Sequence, residues 1–369
     1  MDQTNLHKAT ELGQSIWLDY IHRSMIRSGE LEQWVKMGLR GITSNPDIFK
    51  KAIAESEEYD EQIHQLVRAG KSSQEIYEAL AIEDIREAAD ILRPTFNATD
   101  GADGFISLEV NPHLAYDQQG TINEAKRLSG AVDRPNVMIK VPATAEGILA
   151  FKDLTRDGIK INVTLMFSIR QYDIVAEAYI IALQERSARV HAVDQIASVA
   201  SLFVSRIDTK VDKLLDALGA PEAHALKGRI GLANAKICYQ RFRKFFSGMR
   251  WDYMVEKGAH YQRLLFGSTG TKNPDYSDVM YLDNLIGPNT VNTVPPKTLD
   301  AFIDHGRVAN TLERNIDEAY QQLEQLEELG IDLDDVTSQL LGEGVEKFSE
   351  SYDGLMEAIK EKQAAFTIA

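Results

Sequence analysis

The stretch Asn136-Val137-Met138-Ile139-Lys140-Val141-Pro142, followed by Ala143-Thr144-Ala145-Glu146-Gly147, decides how the chain is read. It is an apolar strand that closes on a lysine. A lysine leaving a buried strand is held in an apolar setting, where desolvation disfavours the ammonium form. A neutral amine is the nucleophile that attacks a ketone to form a Schiff base. A lone lysine at a strand end more often reaches into water along its own stem. The neighbouring strands therefore decide which reading holds.

Working outward, the same kind of run recurs between long helical stretches: Ser15–Asp19, Gly41–Asn45, Phe105–Val110, Val137–Val141, Ile159–Thr164, Ile196–Phe203, Arg263–Ser268 and Asn289–Thr293. β-Branched and aromatic residues with polar, Gly or Pro flanks mark these runs as strands. Between them, Leu80 to Leu92 sets Ile82, Ile85, Ala89 and Leu92 at helical spacing, and Ile169 to Leu183 repeats the pattern. Strand–helix alternation about eight times over predicts an α/β fold, a closed (β/α)8 TIM barrel with additional helices. An open doubly wound sheet would more often carry a glycine-rich turn after its first strand, and none is present. Residues 1–369 are read as a single barrel domain. Segments 46–103 and 205–260 exceed one crossover helix and are expected to hold helical insertions. A C-terminal helical tail from about Asp334 to Phe366 is amphipathic and acidic, suited to cap the barrel or to lie outside it in solvent.

Composition narrows the function. The 369 residues carry a formal net charge of −16, with 44% hydrophobic and 26% charged residues, the balance of a soluble globular protein. The acidity argues against general affinity for nucleic acid or an anionic membrane, while leaving room for a local basic cluster. No apolar run is long enough to span a bilayer. The amino-terminal Met1-Asp2-Gln3-Thr4-Asn5 lacks the apolar core of a signal peptide, so a cytoplasmic location is expected. The single cysteine, Cys238, excludes an intramolecular disulfide and reads as a buried helical thiol. The eight histidines show no paired spacing on one helix, which makes zinc improbable. Gly267-Ser268-Thr269-Gly270-Thr271-Lys272 lacks the Gly-Lys-Ser/Thr ending of a nucleotide-binding loop.

In a barrel of this kind the chemistry gathers at the carboxyl ends of the strands. Asp19, Asn45, Glu109, Lys140, Asn162 with Thr164, Ser201 and Ser268 stand at seven successive exits. One acid after a strand is usually a helix cap or a turn residue. Polar residues recurring at one topological position are better explained by a shared site. A Schiff-base aldol reaction needs a neutral lysine and acid/base groups near the reacting hydroxyl, and two carboxylates in different settings can divide the proton transfers. Asp19 and Glu109 are the two carboxylates available. Asn45, Asn162 and Ser201 suit sugar hydroxyls, and Thr164 beside Glu109 suits a held water.

The segments Gly41-Ile42-Thr43-Ser44-Asn45-Pro46-Asp47-Ile48-Phe49 and Val137-Met138-Ile139-Lys140-Val141-Pro142-Ala143-Thr144 resemble the two signatures of the transaldolase family. Ile161-Asn162-Val163-Thr164-Leu165-Met166-Phe167-Ser168 and Ser201-Leu202-Phe203-Val204-Ser205-Arg206-Ile207 are similar to further family segments. The resemblance, running from about Ser15 to the Pro295 region, implies a barrel without metal or organic cofactor. It implies transfer of a dihydroxyacetone unit from a ketose phosphate to an aldose phosphate in the pentose phosphate pathway. Lys140 would form the Schiff base, Asp19 would take the proton from the hydroxyl whose carbon–carbon bond breaks, and Glu109 would act through a water held with Thr164. Asn45, Asn162 and Ser201 would hold the dihydroxyacetone part, and Arg206 the phosphate. The implied partners are sugar phosphates, to a monomer or homodimer.

One departure stands out. Family members carry Ser-Phe-Arg after the seventh strand, with the arginine on phosphate; here Ser268 is kept and Gly270 stands at the arginine position. Lys272 either answers that charge, as a point charge without arginine's fork, or is an ordinary exposed loop lysine. A fructose-6-phosphate aldolase is the nearest rival; such enzymes are shorter and use tyrosine and glutamine where this chain has Glu109. A non-catalytic sugar-phosphate binder is the rival from another class, and retention of Lys140, Asp19 and Glu109 argues against it.

Overall fold

The computed structural model describes residues 3–368; Met1 and Asp2 of the amino-terminal stretch read above, and Ala369, lie outside the described residues. Eight parallel strands close into a barrel in chain order. They are β1 (Gln14–Asp19), β2 (Gly41–Thr43), β3 (Phe105–Glu109), β4 (Val137–Pro142), β5 (Ile161–Met166), β6 (Ser198–Phe203), β7 (Gln262–Gly267) and β8 (Thr290–Val294). Helices separate successive strands, so the predicted (β/α)8 barrel with additional helices is the observed fold.

The period of two along each strand divides the core. Ile16, Leu18, Ile139, Val141, Ala200 and Leu202 point outward and pack under the helices. Trp17, Phe105, Met138, Val199, Leu265 and Val291 point inward and fill the lower barrel with a separate apolar cluster. Trp17 packs inside the barrel, as its place two residues before Asp19 predicts, and its Nε1 donates to Asp103 at 2.9 Å. Gly41 lies against its ring, where a Cβ would come within 2.6 Å. One residue further along the same inward rows stand Asp19, Thr43, Ser107, Lys140, Ser201 and Thr293. The rows therefore turn from apolar to polar on approaching the carboxyl ends.

Strand ends differ from expectation by a few residues, for a visible reason. β2 stops at Thr43 because Asn45 caps the helix Pro46–Ala54, accepting from Ile48 N at 3.0 Å, with Pro46 supplying a first helical residue that has no N–H to satisfy. Thr144 likewise caps Ala145–Asp157 and Ser168 caps Ile169–Ala188. Segment 46–103 carries the helices Pro46–Ala54, Asp60–Arg68 and Ser73–Ala98. Segment 205–260 carries Ser205–Leu218, Pro221–Leu226, Ile230–Phe245 and Met249–Glu256.

The tail is one long helix, Leu333–Ile368, and it caps the barrel. Val336, Leu340, Val345, Phe348, Tyr352, Leu355 and Ile359 are buried along one face of it. That face packs on Pro46–Ala54, Asp60–Arg68, Ser73–Ala98, Ser205–Leu218 and β5. His113, in the short turn Pro112–Leu114 after β3, is half exposed and meets Asp353 of this helix at 2.8 Å. No helix among the described residues is long and apolar enough to cross a membrane.

Candidate active site

The mouth at the carboxyl ends of the strands is a cavity of about 440 Å3. Lys140 lies on its floor with its side chain 5% exposed. The amine donates to Ser44 O at 2.9 Å and sits 3.2 Å from Glu109 Oε2. This corrects the apolar setting expected from the strand alone. Parallel pairing puts Glu109 and Lys140 in register, so a carboxylate necessarily stands beside the amine. Burial raises the Glu109 carboxyl above the ordinary carboxylate range, against the lowering pull of Lys140.

Asp19 lines the same cavity and accepts from Thr43 Oγ1 at 2.7 Å. Burial raises this carboxyl too, opposed by Lys140, by the Thr43 hydrogen bond, and by Arg206 and Lys272. Thr164, from β5, also faces the cavity, and its hydroxyl has no hydrogen-bond partner among the described residues. Glu109 Oε2, though close to the amine, is likewise without an aligned hydrogen bond. The buried Thr164 hydroxyl left without a partner beside this lysine marks a place where a further polar species is accommodated.

The other predicted residues fall into two groups. Asn45, Ser201, Arg206, Ser268 and Lys272 line the cavity with Asp19, Thr164 and Lys140. The Asn45 side-chain oxygen also serves as a helix cap, so the ordinary role of a polar strand-exit residue and a place in the site coincide. Asn162 is fully buried and does not line the cavity. Its amide is engaged at both ends, Nδ2 donating to Ser107 Oγ at 3.1 Å and Oδ1 accepting from Ser201 Oγ at 2.6 Å. Glu109 stands behind Lys140 rather than on the cavity wall, bordering two smaller spaces next to Leu108, Pro142 and Leu165.

Arg206 opens the helix Ser205–Leu218 and stacks over the Phe203 ring, with 5.1 Å from Cζ to the centroid. Lys272 lies on the loop after β7. Burial lowers both cations, and for Lys272 the nearby Arg206 and Lys347 act in the same direction. Ser268 and Leu165, at the ends of β7 and β5, hold left-handed backbone angles, φ 52° and φ 57°. Non-glycine residues in that region cost roughly 1–3 kcal/mol and persist where surrounding structure imposes them, typically at functional sites.

Several cavity residues have no signal in the sequence. Thr43 lies in a strand and reads as core. Lys347 and Phe348 lie on the tail, nearly eighty residues past Lys272, yet both border the cavity. The Phe348 ring centroid is 5.9 Å from Lys140 Nζ and 6.0 Å from Arg206 Cζ.

A sequence profile described as Transaldolase/Fructose-6-phosphate aldolase matches residues 16–359. The transaldolase of Trichodesmium erythraeum is 47% identical over 378 aligned positions, covering the full length of both chains. Transaldolase 2 of Nostoc sp. is 46% identical over 97% of each chain. The transaldolase of Thiobacillus denitrificans is 46% identical over 95% of this chain and 98% of its own. With the signature segments at the mouth of a closed barrel and a buried lysine on its floor, the chain belongs to the transaldolase/fructose-6-phosphate aldolase family.

Proposed function

We propose that this protein is a transaldolase. It transfers a dihydroxyacetone unit from sedoheptulose 7-phosphate or fructose 6-phosphate to glyceraldehyde 3-phosphate or erythrose 4-phosphate, through a Schiff base on Lys140. The observation that carries the reading is the Lys140 amine on the cavity floor, with Glu109 at 3.2 Å and Asp19 on the adjoining wall.

The chemistry divides between the carboxylates. The Lys140 amine adds to the donor ketone, and loss of water leaves the imine. Glu109, raised by burial, takes and returns the protons of that dehydration, through a water held with the Thr164 hydroxyl. Asp19 then removes the proton from the donor hydroxyl, the adjacent carbon–carbon bond breaks, and the aldose phosphate leaves. The three-carbon enamine stays on Lys140 until it adds to the acceptor aldehyde, whose new hydroxyl takes its proton back from Asp19. Hydrolysis of the imine regenerates the amine.

Asn45 and Ser201 face the dihydroxyacetone part. Asn162 supports them from below, its carbonyl fixing the Ser201 hydroxyl. Arg206, Ser268 and Lys272 receive the phosphate. The chain works as one barrel unit, its insertions and tail serving a single site, in the cytoplasm as a monomer or homodimer.

The aldolase reading has one observation in its favour: the family includes fructose-6-phosphate aldolases. Glu109 beside the amine supports transfer. Borohydride trapping with fructose 6-phosphate and peptide mass mapping tests the mechanism. The expected result is an adduct on Lys140 that is absent from Lys140→Ala; near-full turnover by that variant sinks the proposal. Product formation only when erythrose 4-phosphate is present separates transfer from lysis.

A further inference from the structure

We propose that Lys347, on the C-terminal helix, is a phosphate-binding residue of the substrate site and stands in for the arginine absent at Gly270. The inference rests on the sugar-phosphate reading above and assigns a charge that the strand exits do not supply.

The chain has a formal net charge of −16, yet besides Lys140 four basic residues, Lys51, Arg206, Lys272 and Lys347, border one mouth. Lys51 pairs with Asp47 at 2.8 Å. Among the described residues, Arg206, Lys272 and Lys347 form no ion pair within 4.0 Å. Lys272 feels Arg206 and Lys347 as like charges. Three gathered cations without an ion pair among the described residues repel one another, Asp19 offsetting only part of this at Arg206 and Lys272, and the arrangement is relieved further by an anion entering between them. A sugar phosphate carries close to two negative charges at neutral pH.

Lys347 has an ordinary alternative that the structure takes away. On a helix its natural partners are Glu343, four residues earlier, and Glu350, three later; Glu350 forms no ion pair with it among the described residues. The Glu343 carboxylate is held instead by Lys210 at 2.5 Å. The helix also approaches the mouth closely. Gly344 lies against β5 and Arg206, where a Cβ would come within 2.9 Å of Leu165 Cδ2 and 3.7 Å of Arg206 Nη1. Gly344, Lys347 and Phe348 share one face by helical spacing, so the turn that seats Phe348 between Lys140 and Arg206 also brings Lys347 to the cavity.

Gly270 explains why the charge comes from elsewhere. A Cβ there would lie 2.9 Å from Pro295 Cγ, so an arginine cannot be placed at that position without moving β8's exit. A bound phosphate then bridges the barrel, through Arg206 and Lys272, to the tail, through Lys347. The donor's own phosphate holds the helix over the Schiff base.

The test is Lys347→Met in the full chain. The KM for fructose 6-phosphate is expected to rise about ten-fold or more, with the larger change in KM than in kcat, because a charge-assisted phosphate contact is lost. The Kd for inorganic phosphate, read by calorimetry, rises by a similar factor, and Lys347→Arg restores most of both. Lys360→Met, on the same helix but paired with Glu357 away from the mouth, is the control. Unchanged phosphate affinity in folded Lys347→Met overturns the proposal. The calorimetry reports on Lys347 whichever sugar phosphate is the donor. Failure of the wild-type chain to form the Lys140 adduct counts instead against the transaldolase reading.

Discussion

Glu109 and Lys140 are register partners on adjacent parallel strands, and the carboxylate stands 3.2 Å from the amine. A carboxylate is thereby fixed beside the amine by the sheet itself, with no loop to order, and the proposed mechanism uses it as the general acid/base. Glu109→Gln keeps the shape and removes the proton exchange. Imine formation from fructose 6-phosphate is expected to slow by about 10²- to 10⁴-fold, with the adduct still on Lys140. Single-turnover borohydride trapping reads this directly; an unchanged trapping rate would contradict the assigned role.

Asp19 acts as a base only when ionised, and burial raises its carboxyl above the ordinary value. The acid limb of kcat/KM is therefore expected above about pH 4, where an unperturbed carboxylate titrates. Asp19→Asn is expected to lower kcat by about 10²-fold or more while leaving the Lys140 adduct with fructose 6-phosphate intact. A pH profile unaltered in the residual activity of Asp19→Asn would assign the limb to another group.

The loop bearing Lys272 is fastened to the helix bearing Arg206. Tyr276 donates to Asp212 at 2.7 Å, and Tyr281 to Asp208 at 2.8 Å. Tyr276→Phe frees one fastening without touching the cavity. The KM for fructose 6-phosphate is expected to rise by roughly three- to ten-fold, the cost of one charge-assisted hydrogen bond, with a smaller change in kcat. An unchanged KM would show that the loop is held by other contacts.

Asp208 is another buried carboxyl, pushed up to about 7 by burial, with hydrogen bonds from Gly231 N and Tyr281 opposing. Between about pH 4 and pH 7 the folded chain therefore binds more protons at this site than the unfolded chain, so its contribution to stability falls as pH rises and levels off above. Asp208→Asn removes that component, and its stability is expected to decline less across the same window. Urea unfolding at several pH values measures the slope. Identical slopes in both proteins would exclude Asp208 as the source.

Gly270→Arg installs the arginine that the family resemblance implies, and it is not expected to gain phosphate binding. The new Cβ meets Pro295, and overpacking of this kind costs about 1–3 kcal/mol. A lower unfolding midpoint with no gain in affinity for inorganic phosphate is expected; tighter phosphate binding at undiminished stability would show that the loop yields.

Much of the site is legible along the chain because parallel strands of a barrel all end at one mouth. Asp19, Glu109, Lys140, Thr164 and Ser201 could be singled out from their place at strand ends, before any distance was known. Asn162 shows the limit of that logic: its position in the strand is right, but its amide is consumed by Ser107 and Ser201 beneath the cavity. Strand position fixes which way a side chain points, and hydrogen-bond competition decides whether it is free to meet a ligand.

The β-branched and aromatic strand runs, the helical spacing between them and the signature segments determined the barrel and the family and singled out Lys140 for the proposed Schiff base, because those are properties of residues near one another in sequence. The tertiary structure alone decided that the tail caps the mouth, that Phe348 and Lys347 join Lys140 and Arg206, and that a side chain at Gly270 meets Pro295. These depend on surfaces that meet only after folding, where an amphipathic helix buries its apolar face on whichever partner the closed barrel presents.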